Sequence, residues 1–296
     1  MGEQQFYEAV QQKLTICLET QGLEVCFEDV KKNNNQKLPA LAIKREGEEF
    51  YPVIYLRSFY EQWKQGKQLE DIVEDMIEVW KKTKAQNIEV PESFFDFEEG
   101  KDRLFLRLVN LGMNGELWKD TPFLPWNDLA LTVRWMVEES EDDVSSILIT
   151  NKEVERWGVT VEEVFAAAKE NTERLFPAKI QEFSSLSPIS RNKPRRINMY
   201  ILTNTKEING ATALCYSNVV WDFAKKLDSN LLILPSSIHE VILVEENDRI
   251  GIERYYDIVR GANETVVEEE DILSYQLYRC NKVTGEIKIV IKNSGI

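Results

Sequence analysis

Hydrophobic positions in the first third of the chain follow helical spacing first and strand spacing next. Phe6, Val10, Leu14 and the pair Cys17-Leu18 recur three to four residues apart, which predicts an amphipathic helix over residues 4–20. Three strand-like runs follow, at 23–30, 38–45 and 50–56, and the last of them is rich in β-branched and aromatic residues. Turn-forming residues separate these runs, so they predict a meander of three antiparallel strands. A second apolar stripe, over 69–80, predicts another helix.

The middle and the C-terminal part mix helical and strand patterns. Residues 102–109 indicate a helix, and residues 129–138 alternate as a strand. Thr160 and Glu163 form a capping box, which marks the start of a helix, and a further helix is predicted over 212–227. Helices that interleave with hairpin-joined strands predict an α+β fold: mainly antiparallel sheets, flanking amphipathic helices and two or three sub-domains.

One segment has the composition of a linker. Residues 184–196, SSLSPISRNKPRR, combine serine, proline and four basic residues without any periodicity. The basic cluster could hold an anion, but docking on the acidic body of the protein is the favoured interpretation. The predicted regions are an N-terminal helix, meander and helices at 1–90, a middle α+β region packed with it at 91–183, the linker at 184–196, and a C-terminal α+β domain at 197–296.

Charge excludes several classes of partner. The chain of 296 residues carries 51 acidic and 36 basic residues, a net charge of −15. Because nucleic-acid binding depends on basic groups that neutralise phosphates, we expect neither nucleic acid nor an anionic membrane as a partner, and a protein partner is favoured. The N-terminus lacks a signal-peptide pattern, and no apolar run approaches the roughly 18 residues of a membrane span. A cytoplasmic protein is expected.

The residue types that usually bind metals are scarce and scattered. The four cysteines, Cys17, Cys26, Cys215 and Cys280, form no closely spaced pair, and the chain has a single histidine. A structural zinc site would need ligands from three distant segments, so we expect reduced thiols and no metal site. Motifs for phosphate, dinucleotide or zinc-hydrolase chemistry are absent, so no cofactor is expected.

The single histidine lies in the stretch ILPSSIHEVILV, residues 233–244. Ser236 and Ser237 precede His239, and Glu240 follows it, so the four residues are weak candidates for a hydrolytic site. In an extended chain Ser237 and His239 share a face at about 6.6 Å between Cα atoms, which is long for direct contact, and Glu240 points away. The flanking apolar runs predict strands buried on both faces, so a corner stabilised by the histidine is the favoured interpretation.

Several segments together resemble a known family. The motifs KLPALAIKREGEEFYPVIYL, DRLFLRLVNLGMNGELWKDTPF, ITNKEVERWGVTVEEV, MYILTNTKEINGATAL and LPSSIHEVILV occur in this order. The chain resembles, over nearly its whole length, a family of uncharacterised proteins from Gram-positive gut bacteria that is known as a domain of unknown function. The resemblance implies no activity, cofactor or catalytic residue.

Three functional hypotheses follow. The favoured one is a non-catalytic binding protein, because the chain lacks paired catalytic motifs; Phe95, Phe123 and Trp126 are the candidate contact residues, since aromatic residues are enriched at interfaces. The runner-up is a serine hydrolase that uses Ser237 or Ser236 with His239. The third is an acidic decoy for nucleic-acid-binding proteins, which requires a continuous negative stripe.

Overall fold

The chain folds into two compact units. The computed structural model of the protein describes residues 1–48, 51–85, 90–139, 144–185, 197–247 and 250–291, with the backbone alone at 85, 184, 185 and 197. The first unit comprises Met1–Lys32 and Gln36–Pro91, and the second comprises Asn33–Asn35 and Glu92–Ile296.

The first unit packs helices against a three-stranded sheet. Its helices are α1 (Glu3–Leu18), α2 (Arg57–Lys64) and α3 (Leu69–Ala85), and its strands are β1 (Glu24–Lys31), β2 (Lys37–Lys44) and β3 (Val53–Tyr55). The strand order is β1-β2-β3 with antiparallel pairing. Phe6 and Leu14 of α1 pack in one core with Leu41 of β2 and Met76 of α3. The predicted N-terminal helix and meander are confirmed.

The second unit contains the remaining elements. Its helices are α4 (Phe97–Gly100), α5 (Asn151–Trp157), α6 (Val161–Leu175), α7 (Val219–Leu227) and α8 (Ile252–Thr265). Its strands are β4 (Leu104–Asn110), β5 (Leu124–Trp126), β6 (Leu129–Glu139), β7 (Val144–Leu148), β8 (Ala178–Ser185), β9 (Ile197–Asn204), β10 (Leu231–Leu234), β11 (Val241–Glu245), β12 (Tyr278–Cys280) and β13 (Ile287–Ile289).

These strands form two sheets. In the four-stranded sheet, β6 pairs with β4, β5 and β7; the six-stranded sheet has the order β13-β12-β10-β11-β9-β8. Each pairing in both sheets is antiparallel, which confirms the predicted α+β class. The apolar runs that flank the histidine are the interior strands β10 and β11. Helix α7 covers one face of this sheet and α8 covers the other.

The helix predicted over 102–109 is wrong, because this segment contains β4. Its residues pair in register with β6, from Leu104 opposite Trp135 to Asn110 opposite Leu129. On the outer edge of β4, backbone N–H groups donate to side-chain hydroxyl groups and not to a neighbouring strand. The Leu106 N–H donates to Thr172 Oγ1 at 2.8 Å, and the Leu108 N–H donates to Thr212 Oγ1 at 3.1 Å.

Two other predicted elements differ in extent. The helix predicted over 212–227 consists of a 3₁₀ segment, Gly210–Cys215, followed by α7. The predicted linker 184–196 lies outside the described residues between 186 and 196. The strands on either side of it, β8 and β9, pair from Ala178 opposite Asn204 to Ser185 opposite Ile197. The segment therefore connects two neighbouring strands of one sheet.

Within the ranges given above, no helix combines the length and the apolar character needed to cross a membrane.

Candidate functional site

The histidine lies in the corner that joins β10 to β11. The corner begins at Pro235 and is held by backbone bonds to residues 271–274. The Ile238 N–H donates to the Asp271 carbonyl at 2.9 Å, and the Ser274 N–H donates to the Pro235 carbonyl at 2.9 Å. Main-chain pairing on both sides of the two serines therefore fixes the bend.

The serine hydroxyl nearest the histidine belongs to the turn itself. Ser237 Oγ accepts a hydrogen bond from the His239 N–H at 3.0 Å, which is the pattern of a serine turn. Ser236 is half-buried and Glu240 is exposed. In the part of the chain that the structure describes, no hydrogen bond joins either serine hydroxyl to the imidazole.

The imidazole is contacted at both nitrogens. Nδ1 of His239 accepts a hydrogen bond from the Asn209 N–H at 3.3 Å, and Nε2 lies 3.5 Å from Asp271 Oδ1. Because Nδ1 acts as an acceptor, the network assigns the proton of the neutral ring to Nε2. A general base needs a free lone pair near the group that it deprotonates. Here the lone pair faces a backbone amide, and the acidic neighbour of the ring is Asp271 rather than Glu240.

The backbone of the histidine is packed as closely as its side chain. The carbonyl of His239 accepts a hydrogen bond from Thr203 Oγ1 at 2.8 Å. A Cβ atom placed on Gly210 would lie 2.5 Å from this carbonyl oxygen and 2.8 Å from the Asn204 nitrogen. Real side chains do not approach other atoms so closely, so only glycine fits at this position.

Buried asparagines position the carboxylate that faces the ring. Asn34, which is 4% exposed, donates from its side chain to the carbonyls of Glu269 at 2.9 Å and Ile272 at 2.7 Å. Its own N–H donates to Asn114 Oδ1 at 2.8 Å. These bonds fix the turn that carries Asp271. The run of three asparagines around residue 34 predicts a polar turn, and it was the available signal for these contacts in the sequence.

Two arginines extend the charged cluster. Arg107 of β4 and Arg134 of β6 lie on one face of the four-stranded sheet, as the strand register requires. Burial, and secondarily the charge of Arg107, lowers the pKa of Arg134 to about 9. Burial also lowers the pKa of Arg107, and the carboxylates of Asp271 and Glu270 oppose that shift. Asp271 thus interacts with cationic Arg107 as well as with the imidazole.

The described residues contain no cluster of three or more histidine, cysteine, aspartate or glutamate side chains that could hold a metal ion.

The predicted aromatic contact residues lie at separate places. Phe95 is 41% exposed. Phe123 is half-buried, with its ring centroid 4.4 Å from that of Trp118. Trp126 is half-buried and packs edge-on against Tyr278, at 5.7 Å between centroids. Phe95 contacts the ring of Phe94, so the three candidates make their described ring contacts with different neighbours.

A second site lies at one edge of the six-stranded sheet. β13 pairs with β12, and no other described strand adjoins it. Its bonds to β12 come from alternate residues: the Val290 N–H donates to the Leu277 carbonyl at 2.8 Å, and the Asn281 N–H donates to the Glu286 carbonyl at 3.0 Å. Because antiparallel pairs alternate, Lys288 also faces β12. The backbone N–H and C=O groups of the residues between them point outward.

Grooves flank this edge on both faces of the sheet. The α7 groove, of about 310 Å³, lies beside Ile287 and is lined on its other sides by Trp126 and Trp221. The α8 groove, of about 440 Å³, lies beside residues 289–291. Its other lining residues are Tyr256, Arg260, Tyr275 and Gln276. The edge therefore offers unpaired backbone groups between two side-chain pockets.

Most of this edge was not predicted from the sequence, since neither Arg260 nor Tyr275 was among the candidate contact residues. Tyr275 is 44% exposed and Ile291 is 84% exposed, and this exposure is a property of the fold that local sequence spacing does not reveal. Of the predicted contact residues, Trp126 is the one that lines a groove here.

Comparisons with known proteins identify the family but no function. Neither the curated proteins nor the solved structures include a match to this chain. A family model described as "Family of unknown function (DUF5688)" matches residues 3–282. The match covers nearly the whole sequence, and the chain therefore belongs to this family of unknown function.

Proposed function

We propose that this protein is a non-catalytic binding protein, and that it binds an extended segment of a partner protein as an added strand beside β13. The observation that carries the proposal is the edge itself. Ile287 and Ile289 direct backbone N–H and C=O groups outward between two grooves. Strand addition uses this combination, because main-chain bonds supply affinity and pockets for alternate side chains supply specificity.

The geometry of a strand matches the position of the two grooves. Successive side chains of an added strand point to opposite faces of the sheet. One set would enter the α7 groove, where Trp126 and Trp221 offer aromatic surface, and the next would enter the α8 groove. Natural proteins usually shield edge strands, because an open edge templates pairing with other chains. An open edge between pockets therefore supports recognition of a partner strand.

The histidine corner supports binding over hydrolysis. Ser237 Oγ serves the turn, and the lone pair of His239 Nδ1 faces the Asn209 amide. A serine hydrolase would need both groups to face each other at about 3 Å. The carboxylate near the ring, Asp271, lies on the side of the ring away from this lone pair.

The proposal includes a location and a class of partner. We assign the protein to the cytoplasm of Gram-positive gut bacteria, on the motifs quoted above and on its four free cysteines, which are typical of a reducing compartment. The net charge of −15 favours a protein partner over nucleic acid or an anionic membrane.

Selection from a phage-displayed library of random linear peptides, followed by titration of synthetic peptides, tests the proposal. We expect peptides that bind with dissociation constants of about 1–100 μM, which is common for single peptide segments. Ile289→Pro removes one outward N–H and should abolish binding. Ile289→Ala is the matched control, because it shortens the same side chain and keeps the N–H.

Amide hydrogen exchange supplies an independent measurement. In the free protein the amides of Ile287 and Ile289 should exchange rapidly, while the Lys288 amide is protected by β12. Bound peptide should slow exchange at Ile287 and Ile289. If no peptide is selected, or if selected peptides bind Ile289→Pro as tightly as Ile289→Ala, the proposed strand addition is wrong.

A further inference from the structure

We infer that the partner segment carries an acidic side chain, aspartate or glutamate, that binds in the α8 groove on Arg260. This inference rests on the proposed strand addition and names the chemistry of the partner. The groove is lined by donors and aliphatic walls, and none of its lining residues is acidic.

Three polar side chains of the groove have hydrogen-bond donors that are available to a ligand. Within the described residues, the Arg260 guanidinium, the Tyr275 hydroxyl and the Gln276 side-chain amide form no hydrogen bond or ion pair with another residue. Tyr256 differs, since its hydroxyl donates to the Val290 carbonyl at 2.5 Å and thereby holds one wall of the groove. Guanidinium, amide and hydroxyl donors that face one groove match the acceptor atoms of a carboxylate.

The local charge of the groove is opposite to that of the whole protein. The chain carries a net charge of −15, yet Arg260 is the charged residue that lines this groove. Asp257 and Glu264 lie one turn away on either side of it in α8, and neither forms an ion pair with it. An acidic side chain in the groove would supply the carboxylate that Arg260 lacks.

The position of the groove selects a side chain over a terminal carboxylate. Side chains of a strand added beside β13 project to the two faces of the sheet, whereas a C-terminal carboxylate continues in the plane of the sheet. The α8 groove lies on the face covered by α8, beside residues 289–291. It is therefore reached by every second side chain of the added strand.

Titration of one selected acidic peptide against matched arginine variants tests this inference. Arg260→Gln should weaken binding by about 10-fold, the range expected for a charge-assisted contact that is partly open to water. Arg254→Gln is the control, because Arg254 is exposed on the same helix and lies outside the groove. Replacing the acidic residue of the peptide by its amide should cause a similar loss, and the two changes together should cost little more than either alone.

The outcomes separate this inference from the proposed function. If selected peptides lack a common acidic position, or if Arg260→Gln and Arg254→Gln bind equally well, the assignment of Arg260 is wrong while strand addition stands. If an amidated C-terminus alone removes the effect of Arg260, the terminal carboxylate is the ligand and the side-chain assignment fails. Binding of selected peptides to Ile289→Pro as tightly as to Ile289→Ala would contradict strand addition itself.

Discussion

The histidine corner and the β13 edge differ in how their polar groups are satisfied. At the corner, Ser237 Oγ accepts a hydrogen bond from the His239 N–H, and the imidazole accepts one from the Asn209 N–H. The carbonyl of His239 accepts a hydrogen bond from the Thr203 hydroxyl. At the edge, the outward backbone groups of β13 have no described partner strand. A buried polar group needs a partner inside the fold, whereas an exposed unpaired group is available to another molecule. The residue types that suggest chemistry thus form hydrogen bonds within the fold, whereas the proposed binding edge consists of backbone groups that face solvent.

The largest effect that this comparison predicts is at Gly210. Gly210→Ala places a Cβ atom 2.5 Å from the His239 carbonyl oxygen and against the Thr203 hydroxyl that bonds it. Backbone must move, so the free energy of unfolding should fall by about 3 kcal/mol. Urea unfolding of the variant and the unchanged protein measures this loss of stability.

Gly261 offers the matched control for this substitution. It lies in α8 with no atom within 4 Å of an added Cβ, so Gly261→Ala should stabilise by about 0.5–1 kcal/mol. Equal stability of the two variants would show that the corner yields readily, and the contrast between a fixed corner and an open edge would be lost.

Backbone direction at the edge predicts the next largest effect. Lys288→Pro removes a ladder donor to β12 and should destabilise by about 2–3 kcal/mol relative to Lys288→Ala. The ion pair of Lys288 with Glu286 contributes little, because both side chains are more than half exposed. Ile289→Pro removes an outward donor and should cost less than about 0.5 kcal/mol relative to Ile289→Ala. Thermal or urea unfolding of the four variants measures these differences. If proline destabilises equally at positions 288 and 289, β13 has no free edge.

Local patterns predicted much of this fold. The helical spacing of Phe6 and Val10 gave α1, the capping box at Thr160 gave α6, and continuous apolar runs gave the interior strands β10 and β11. Each signal lies within about one element, where the period of side-chain burial differs between helix and strand.

Other features depend on contacts that local patterns do not carry. In β4 nearly every position is buried, so apolar residues occur without the alternation that separates a strand from a helix. The sequence offered Glu240 as the acidic residue next to His239, whereas the carboxylate that faces the ring belongs to Asp271, which an antiparallel contact of distant segments brings there. The edge of β13 is likewise a property of strand order, which sequence spacing does not determine.

The smallest predicted effect is at the histidine itself. His239→Ala leaves the Asn209 N–H without its protein acceptor, but the imidazole is 39% exposed, so water can partly replace it. We expect a loss of about 1 kcal/mol in the free energy of unfolding, and no change at the neighbouring exposed residue in Glu240→Ala. His239→Ala should also leave peptide binding at β13 unchanged, since neither groove is lined by His239. Chemical unfolding and peptide titration of the same variant measure both expectations. Lost binding with unchanged stability would reverse the comparison, because the corner would then be the functional site and the edge a structural one.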